Sequence, residues 1–311
     1  MRQEHPDPPP AEVIEENAMF NGAVTQCPLC ESGAIERRFR IERYRPAFTV
    51  DRCGSCGFMF MNPRLNDSAV RALYGEDYYT GKAEYSYYDE REAERFSAYV
   101  WNKRIKVLRR HVPGGNLLDV GSSFGGLLKA AAPHFAPHGI ELSPYAGGHS
   151  RSLLGDAIHI GTLADHPFKY DFFSAITMIE LIEHLPDPLF AIRECHRLLR
   201  KDGVLLIQTA NMAGLQAKMQ GSDYAYFMPG HLSYFSKSNL AGALTRAGFS
   251  RIKVFYPVEF GLLPKLKKSR YTFTSPWDYR CWVRIAAYHF ISKIHFRDCA
   301  ATSSMVVYAF K

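Results

Sequence analysis

The chain has 311 residues, of which 47% are hydrophobic, so it can bury one full α/β core and a small additional module. No long apolar run occurs and the first residues are polar and rich in proline, which favours neither a membrane span nor a secretory signal. We therefore expect a cytoplasmic protein. The net charge of +7 is a modest excess without a nucleic-acid-binding motif around it, and most basic residues are interpreted as solvated surface.

Four of the seven cysteines form two Cys-x-x-Cys pairs near the N-terminus. They are Cys27, Cys30, Cys53 and Cys56. Two such pairs supply four thiolates, the ligand set of a closed tetrahedral Zn²⁺ site. Residues 35–51, between the pairs, have the alternating pattern of a β-hairpin. We predict a zinc ribbon over residues 21–63, preceded by a disordered tail at 1–20. Its metal should be structural, because a Cys₄ site has no open coordination position. The alternative is four unligated thiols.

Residues 64–112 are predicted to be a helical linker. An Asn-Pro-Arg turn at 62–64 leads into a tyrosine-rich stretch and then into an amphipathic helix over 89–110. The tyrosines at 78, 79, 85, 87 and 88 fit either a lid over a ligand or packing against the core. Of these, we expect Tyr78 or Tyr79 to lie near the functional site.

Residues 116–126, NLLDVGSSFGG, read as a buried strand, a glycine-rich turn and the start of a helix. Asp119, just before Gly121, would repel a pyrophosphate but attract a positively charged cofactor. Glu141 ends the next apolar strand, where such folds place a carboxylate on ribose hydroxyls. An NAD-binding fold would need a glycine at Ser123. We expect the turn to keep φ negative there, because serine has a Cβ atom.

These residues resemble the first motif of the class I S-adenosylmethionine-dependent methyltransferases, acid-x-Gly-x-Gly-x-Gly, with serine at the middle glycine. The resemblance implies a Rossmann-like, seven-stranded α/β sheet over residues 113–311, with an insertion at 259–302. The last strand, 303–310, should lie antiparallel between strands five and six. The cofactor-binding residues that it implies are Asp119, Gly121, Ser123, Gly125, Glu141, Leu142, Leu163 and Met178.

Candidate catalytic residues follow the fourth and fifth predicted strands. Glu183 and His184 open the sequence Glu-His-x-x-Asp-Pro, a signature of the resembled family. The carboxyl ends of these strands present ligands in open α/β sheets. His231 closes the long connection after strand five, in a His-x-x-x-Phe-Ser element similar to that of ubiquinone-pathway methyltransferases. We predict His231 as the base ahead of His184 and Glu183, with its ring free to swing towards the substrate. The alternative that Glu183 and His184 only hold the turn stays open.

The predicted function is S-adenosylmethionine-dependent methylation of a small molecule, such as a secondary metabolite or a surface-glycan precursor. The alternative is a zinc-module RNA methyltransferase, since some of these enzymes join a Cys-x-x-Cys module to this core. We disfavour nucleic acid as a partner because the sequence lacks the catalytic turn motifs of the RNA methyltransferases. Residues 275–296 mix tryptophans with basic residues, which fits a peripheral membrane contact, a dimer contact or a substrate lid.

Overall fold

The computed structural model describes residues 16–80, 82, 89, 91, 94–256, 262–270, 273–291, 294–301 and 304–311. Most of the predicted disordered tail, and the tyrosines at 85, 87 and 88, lie outside these ranges. In the described residues a seven-stranded mixed sheet is flanked by helices, and a four-stranded sheet lies beside it. The predicted Rossmann-like α/β fold is confirmed.

The strands, in chain order, are β1 (Ile35–Ile41), β2 (Phe48–Cys53), β3 (Met59–Met61), β4 (Asn116–Val120), β5 (Ala136–Glu141), β6 (Ile158–Ile160), β7 (Phe173–Ile179), β8 (Leu199–Ala210), β9 (Ser233–Tyr234), β10 (Arg251–Phe255), β11 (His295–Phe296), β12 (Cys299–Ala300) and β13 (Ser304–Phe310). The α-helices are α1 (Asp67–Leu73), α2 (Glu76–Thr80), α3 (Glu94–Leu108), α4 (Gly126–Ala131), α5 (Pro144–Leu154), α6 (Pro188–Leu198), α7 (Leu215–Gln220), α8 (Lys237–Arg246), α9 (Leu262–Ser269) and α10 (Cys281–Ile291). Short 3₁₀ helices cover Glu16–Met19, Gly155–Ala157, Ile182–His184, Gly221–Asp223 and Pro276–Arg280.

The central sheet has the strand order β10-β13-β8-β7-β4-β5-β6. Strands β4 to β8 pair in parallel, while β13 pairs antiparallel with both β8 and β10. The predicted antiparallel last strand is therefore confirmed. Strand β5 lies on one side of β4, and β7, which comes later in the chain, lies on the other side. This change of direction opens a crevice at the carboxyl ends of β4 and β7, where open α/β sheets bind ligands.

Helices cover both faces of this sheet because successive side chains of a strand point to opposite faces. Leu117 belongs to a buried cluster with residues of α3 and α4, whereas Leu118 belongs to a cluster with residues of α6 and α8. Strand β7 is buried along almost its whole length, as expected for a central parallel strand. The two packed faces fix the strand ends that carry the candidate site.

The four-stranded sheet, here called the N-terminal sheet, has the order β1-β2-β3-β9. The predicted hairpin is confirmed, with β1 and β2 antiparallel. Strand β9 was not foreseen: it comes from the connection after β8, and Phe60 pairs with Ser233 in it. The cysteine-rich module thus shares a sheet with the larger fold. A buried contact reinforces the joint, because the rings of Phe58 and Phe235 lie 5.2 Å apart.

The insertion after β10 carries α9, α10 and the small β11–β12 hairpin. A capping box of Ser275 and Asp278 starts its Pro276–Arg280 turn. Several apolar side chains of this unit are exposed, including Trp277, Val283 and Phe296. Within the described residues, no helix is long and apolar enough to cross a membrane. The predicted contact through residues 275–296 stays a prediction.

Candidate functional site

A cavity of about 740 Å³ lies at the carboxyl ends of β4, β5 and β7. Its size is within the range of about 300–1,000 Å³ that is common for small-molecule sites. One wall, here called the carboxylate side, contains Asp119, the turn after β4 and Glu141. Another part of the lining, here called the histidine side, contains Tyr74, Glu180, His184 and His231. The cavity therefore brings together residues of the first motif and residues of the later motifs.

On the carboxylate side, Asp119 is held at the end of β4. Its side chain is 5% exposed, and its Oδ1 atom accepts a hydrogen bond of 2.5 Å from the Thr177 hydroxyl on the neighbouring strand. Parallel pairing places Asp119 directly beside Thr177. Position and orientation of this carboxylate are thus set by the sheet itself.

The turn after β4 is tightly wound. Gly121 has φ of 76°, and a Cβ atom there would lie 2.9 Å from a Leu181 methyl carbon. Ser123 has φ of 47°, so the expected negative φ is wrong. Hydrogen bonds hold the serine in this left-handed conformation, which otherwise costs about 1–2 kcal/mol. Its N–H donates to Glu141 Oε2 at 2.7 Å, and its carbonyl accepts from the Ser150 hydroxyl at 3.0 Å.

Glu141 ends β5 and faces the same cavity. Its Oε1 atom accepts from the Ser143 N–H at 2.8 Å and from the Tyr79 hydroxyl at 3.4 Å. Burial raises the pKa of this carboxyl above its ordinary value, even though these donors and the Ser123 N–H oppose the shift. A ligand that donates hydrogen bonds to Glu141, or that carries positive charge, would favour its ionised form.

The other predicted cofactor residues divide into two groups. Leu142 and Leu163 line the cavity. Gly125 does not: it starts α4, where a Cβ atom would lie 3.1 Å from Ser150. Met178 does not line it either and belongs to the hydrophobic core. The alternation along β7 explains this, because the next residue, Ile179, faces the cavity instead.

The histidine side is assembled from distant segments. Tyr74 comes from the end of α1, and its hydroxyl lies 2.5 Å from His184 Nδ1. The same nitrogen lies 2.8 Å from the carbonyl oxygen of Gly230. Arg64, after the Asn-Pro-Arg turn, donates to the carbonyl of Pro186 and so joins the N-terminal sheet to the Glu-His-x-x-Asp-Pro segment. His184 is thus held by residues from outside its own turn.

Glu183 is fully buried behind the cavity wall. The Tyr226 hydroxyl donates to its Oε1 at 2.5 Å, and the Thr209 hydroxyl donates to its Oε2 at 3.0 Å. Burial raises the pKa of this carboxyl, and the hydrogen bond from Tyr226 opposes that rise. Since both donors come from β8 and the connection after it, Glu183 also fixes that connection.

His231 is 6% exposed and is held more firmly than the sequence suggested. Its Nδ1 lies 2.7 Å from the carbonyl oxygen of Tyr226, and its own backbone N–H donates to Met228. Strand β9 follows two residues later. The predicted swinging ring is therefore replaced by a fixed one. Burial, followed by the neighbouring His184, lowers the pKa of His231 well below its ordinary value, so its imidazole is neutral at pH 7.

The three predicted catalytic residues come together in space. Glu183, His184 and His231 each offer a ligand atom within 4.8 Å of those of the other two. The ring centres of His184 and His231 are 4.6 Å apart. This group of three is here called the Glu-His-His cluster.

Sequence reasoning did not assign a role to Glu180, which precedes the cluster. Its carboxyl faces the cavity and accepts a hydrogen bond of 2.6 Å from the Gln208 side chain. Partial desolvation by neighbouring protein atoms, followed by the charge of Glu183, raises the pKa of Glu180 above its ordinary value, although the residue as a whole is exposed. No role at the site was predicted for Tyr74 or Tyr226 either. Only the repeated acid at 180 and 183 could have drawn attention in the sequence.

The predicted metal ligands also come together. Cys27 Sγ lies 3.6 Å from Cys56 Sγ, and Cys30 Sγ lies 3.6 Å from Cys53 Sγ. Zn–S bonds of about 2.3 Å put tetrahedral sulfur atoms about 3.8 Å apart, close to these distances. The Leu29 N–H points at the Cys27 sulfur from 3.4 Å, as in a metal-binding turn. All four sulfur atoms lie within 4.8 Å of one another.

Comparison with known proteins agrees with this site. Residues 90–254 match the family model described as "Methyltransferase domain". The chain belongs to this methyltransferase family. It is a methyltransferase.

Among curated proteins, the ubiquinone biosynthesis O-methyltransferase of Xanthomonas campestris pv. campestris is 33% identical over 126 residues, which are 36% of this chain and 51% of the relative. The Xylella fastidiosa protein of the same name is 31% identical over 136 residues, which are 39% of this chain and 54% of the relative. The chain thus spans about half the length of the curated relatives it matches.

Among solved structures, phosphoethanolamine N-methyltransferase 2 of Haemonchus contortus, in complex with S-adenosyl-L-methionine, has a TM-score of 0.50 at 16% identity. The match covers 88% of this chain and 71% of that one. At this identity, the likeness establishes the shared fold alone.

Proposed function

We propose that this enzyme methylates a hydroxyl group of a small molecule that binds on the histidine side of the cavity. The observation that carries the proposal is a single cavity lined by both Asp119 and Glu141 and by His184 and His231. One wall suits the cationic cofactor, and the other wall carries groups that position a hydroxyl and accept its proton.

The carboxylate side fits S-adenosylmethionine. Asp119 and Glu141 are acidic and line the cavity, so they suit the positive charges and ribose hydroxyls of this molecule. The tight turn from Gly121 to Ser123 lets the backbone approach a ligand closely. We propose that these residues hold the cofactor, with Leu142 and Leu163 as apolar contacts to its flat base.

The bound cofactor supplies an activated methyl group on a sulfonium. We propose that His231 accepts the hydroxyl proton of the substrate through Nε2. The carbonyl of Tyr226 can only accept a hydrogen bond, so Nδ1 of His231 carries the proton and Nε2 keeps a lone pair. As the substrate oxygen bonds to the methyl carbon, the methyl–sulfur bond breaks and its electron pair goes to sulfur. His184 and Glu183 then position His231 and the substrate.

Two observations support a small substrate over RNA. Among the described residues that line the cavity, Arg71 is the only lysine or arginine, whereas an RNA backbone is bound by several cations. Apolar and aromatic side chains such as Val70, Trp101 and Leu185 form much of the wall. The relatives named ubiquinone biosynthesis O-methyltransferase point in the same direction.

The Cys₄ group is proposed to hold a structural Zn²⁺. Its four sulfur atoms leave no position for substrate. Because β9 belongs to the same sheet and begins two residues after His231, the metal would act on the site indirectly, by ordering the sheet that anchors the His231 segment.

The proposed function is tested by incubating the protein with methyl-tritiated S-adenosylmethionine and two acceptor pools, a low-mass extract rich in phenols and alcohols and total cellular RNA. Label should enter the low-mass pool as a base-stable methyl ether. S-adenosylhomocysteine should raise the melting temperature of the protein, because only the folded state binds it. Label confined to RNA would replace this proposal by the RNA alternative, and NAD should give no thermal shift.

A further inference from the structure

The positive charge of the chain is concentrated in the insertion after β10. Residues 262–298 contain eight lysines and arginines against two acidic residues, Asp278 and Asp298, which gives a net charge of +6. The whole chain carries +7, so the rest of the sequence is almost neutral. A local excess of this size attracts an anionic surface.

Helix α10 turns apolar side chains towards solvent. The residues at the spacing i, i+4, i+7, i+8, here called the α10 stripe, are all exposed: Val283, Ala287, Phe290 and Ile291. Val283 is 73% exposed and Phe290 is 59% exposed. Another face of α10 packs on α9, where Trp282 Nε1 donates to the Ser269 hydroxyl at 3.0 Å. A helix on the surface of a soluble protein normally buries its apolar stripe, so the α10 stripe needs a partner.

Further exposed apolar side chains lie close to this stripe in the sequence. They are Trp277, Ile294 and Phe296. The Arg280 guanidinium lies 4.4 Å from the centre of the Trp277 ring, in a cation–π contact. Tryptophan beside basic residues is typical of segments that lie at the headgroup level of a bilayer. Charge and apolar surface together therefore fit an anionic membrane.

The insertion is joined to the central sheet at the edge where the cavity lies. Ser304, the first residue of β13, pairs with Ala210 at the carboxyl end of β8. The Asn211 side chain, which follows β8, donates to the Asp298 carbonyl at 2.9 Å. None of the described residues of the insertion lines the cavity, so this arrangement does not support a substrate lid.

We propose that the insertion attaches this enzyme to the surface of an anionic phospholipid bilayer. The α10 stripe enters the boundary between headgroups and acyl chains, and the basic side chains around it contact lipid phosphates. A second copy of the chain is a poorer partner, because two surfaces that each carry a charge of +6 repel each other. The attachment holds the carboxyl edge of the sheet near the bilayer, whichever acceptor the enzyme methylates.

The test is co-sedimentation of the full chain with vesicles of phosphatidylglycerol and phosphatidylcholine in equal parts, and with vesicles of phosphatidylcholine alone. The wild type should sediment with the anionic vesicles and stay in solution with the neutral ones. Raising the salt concentration from about 0.15 M to about 1 M shortens the screening length from about 8 Å to about 3 Å, so it should weaken the binding.

Two pairs of variants locate the contact. Val283→Ser combined with Phe290→Ser should bind the anionic vesicles at least about tenfold more weakly, because less apolar area leaves water on binding. Met219→Ser, which changes a side chain on α7 that is 77% exposed, is the control and should bind like the wild type. All these side chains are exposed, so the melting temperatures should not change.

The second pair tests the charge. Arg280→Gln combined with Arg284→Gln should weaken binding by about tenfold or more, because each cation is attracted to the lipid surface. Arg200→Gln combined with Lys201→Gln removes the same charge at the amino end of β8, the opposite edge of the sheet, and should bind like the wild type.

A wild-type protein that stays in solution with the anionic vesicles overturns the inference, whatever the variants do. Equal vesicle binding by the wild type and the α10 stripe variant also overturns it. So does an equal loss of binding in the charge variant and its control, because the attraction then does not come from the insertion. A dimer that dissociates in the α10 stripe variant, measured by sedimentation equilibrium in the absence of vesicle binding, would assign this surface to a second copy instead.

Discussion

The two sides of the cavity are built in different ways. The carboxylate side comes from two adjacent parallel strands, β4 and β5, and the turns that follow them. The histidine side needs contacts between residues that are far apart in the sequence. Tyr74 and His184, which are 110 positions apart, share a hydrogen bond, and Arg43 bonds to the Tyr224 carbonyl across 181 positions. The residues proposed to bind the cofactor therefore lie on neighbouring strand ends with two distant supports, Thr177 and Tyr79, whereas the residues proposed to handle the substrate come together only in the whole fold.

The N-terminal sheet is the element that connects the two ends of the sequence. Arg43, in the turn between β1 and β2, donates to the carbonyl groups of Ser222, Tyr224 and Phe227. Strand β9 pairs with β3 immediately after His231. These contacts reach the histidine side but not the carboxylate side. We therefore predict that substitutions which destabilise the N-terminal sheet lower turnover more than they lower cofactor affinity.

Loss of a cysteine ligand should have the largest effect. Zinc contributes about 10–16 kcal/mol to the folding of isolated zinc-finger peptides, so Cys53→Ser should remove the metal and destabilise the N-terminal sheet by several kcal/mol. Metal analysis should find about one Zn per chain in this site of the wild type and none in the variant. Any variant that remains folded should still gain thermal stability from S-adenosylhomocysteine.

The control for this change is Cys281→Ser, in the insertion, which should keep the zinc and the melting temperature of the wild type. A metal-free protein with full stability and turnover would show that the four thiols are not a zinc site. Complete loss of S-adenosylhomocysteine binding in folded Cys53→Ser would break the proposed separation between the two sides.

Removal of His231 should have the next largest effect. His231→Ala should lower turnover by about 10²–10⁴-fold, the usual contribution of a group that handles a proton, with nearly unchanged affinity for S-adenosylhomocysteine. Single-turnover kinetics and calorimetry measure the two quantities. If turnover survives while cofactor binding falls, His231 belongs to the cofactor site and the base must be sought at Glu183 and His184.

Asp119 and Glu141 could be expected in one cavity from the sequence because the rules that place them are local. A strand, a turn and an acid at a fixed spacing suffice to place Asp119 and Glu141 in one cavity. The differences were local too. Met178, a predicted cofactor residue, lies in the hydrophobic core, because the two-residue period of β7 turns Ile179 to the cavity instead. The conformation of Ser123 depends on a bond from Ser150, which no motif contains.

The histidine side could be predicted only as separate residues. The sequence named Glu183, His184 and His231, but their common position depends on β7, β8 and β9 packing in the folded chain. Tyr74 and Tyr226 have ordinary sequence surroundings, and their roles become visible only through the bonds to His184 and Glu183. The pairing of β9 with β3 had no signal, since two residues cannot show a strand pattern.

Changes on the carboxylate side should have a smaller, separable effect. Glu141→Gln and Asp119→Asn should each weaken S-adenosylhomocysteine binding by about 10–100-fold, because each removes a charged hydrogen-bond acceptor. Isothermal titration calorimetry measures this. The exposed Asp156, changed to Asn, is the control and should bind normally. Unchanged affinity in both site variants would place the cofactor elsewhere.

Glu141→Gln should also change how the stability of the ligand-free protein depends on pH. Burial raises the pKa of Glu141, so its ionisation lowers the free energy of unfolding as the pH rises through that value. Glutamine removes this titration. The ligand-free variant should therefore be as stable as the wild type or more stable at pH 8, while its thermal gain from S-adenosylhomocysteine shrinks. A large loss of stability at pH 8 would instead indicate a structural role.

The smallest expected effect is that of Tyr74→Phe, which tests a long-range contact of the histidine side. The change deletes the hydroxyl beside His184 but keeps the ring, so it removes the short hydrogen bond to His184, worth about 0.5–1.5 kcal/mol, and the long one of 3.4 Å to the Gly230 carbonyl. Turnover should fall by roughly 3–10-fold, with unchanged affinity for S-adenosylhomocysteine. The exposed Tyr279, changed to phenylalanine, should have no effect on either quantity. If Tyr74→Phe weakens cofactor binding as much as it slows turnover, the hydroxyl stabilises both sides of the cavity. The end of α1, which carries Tyr74, then cannot be assigned to substrate handling alone.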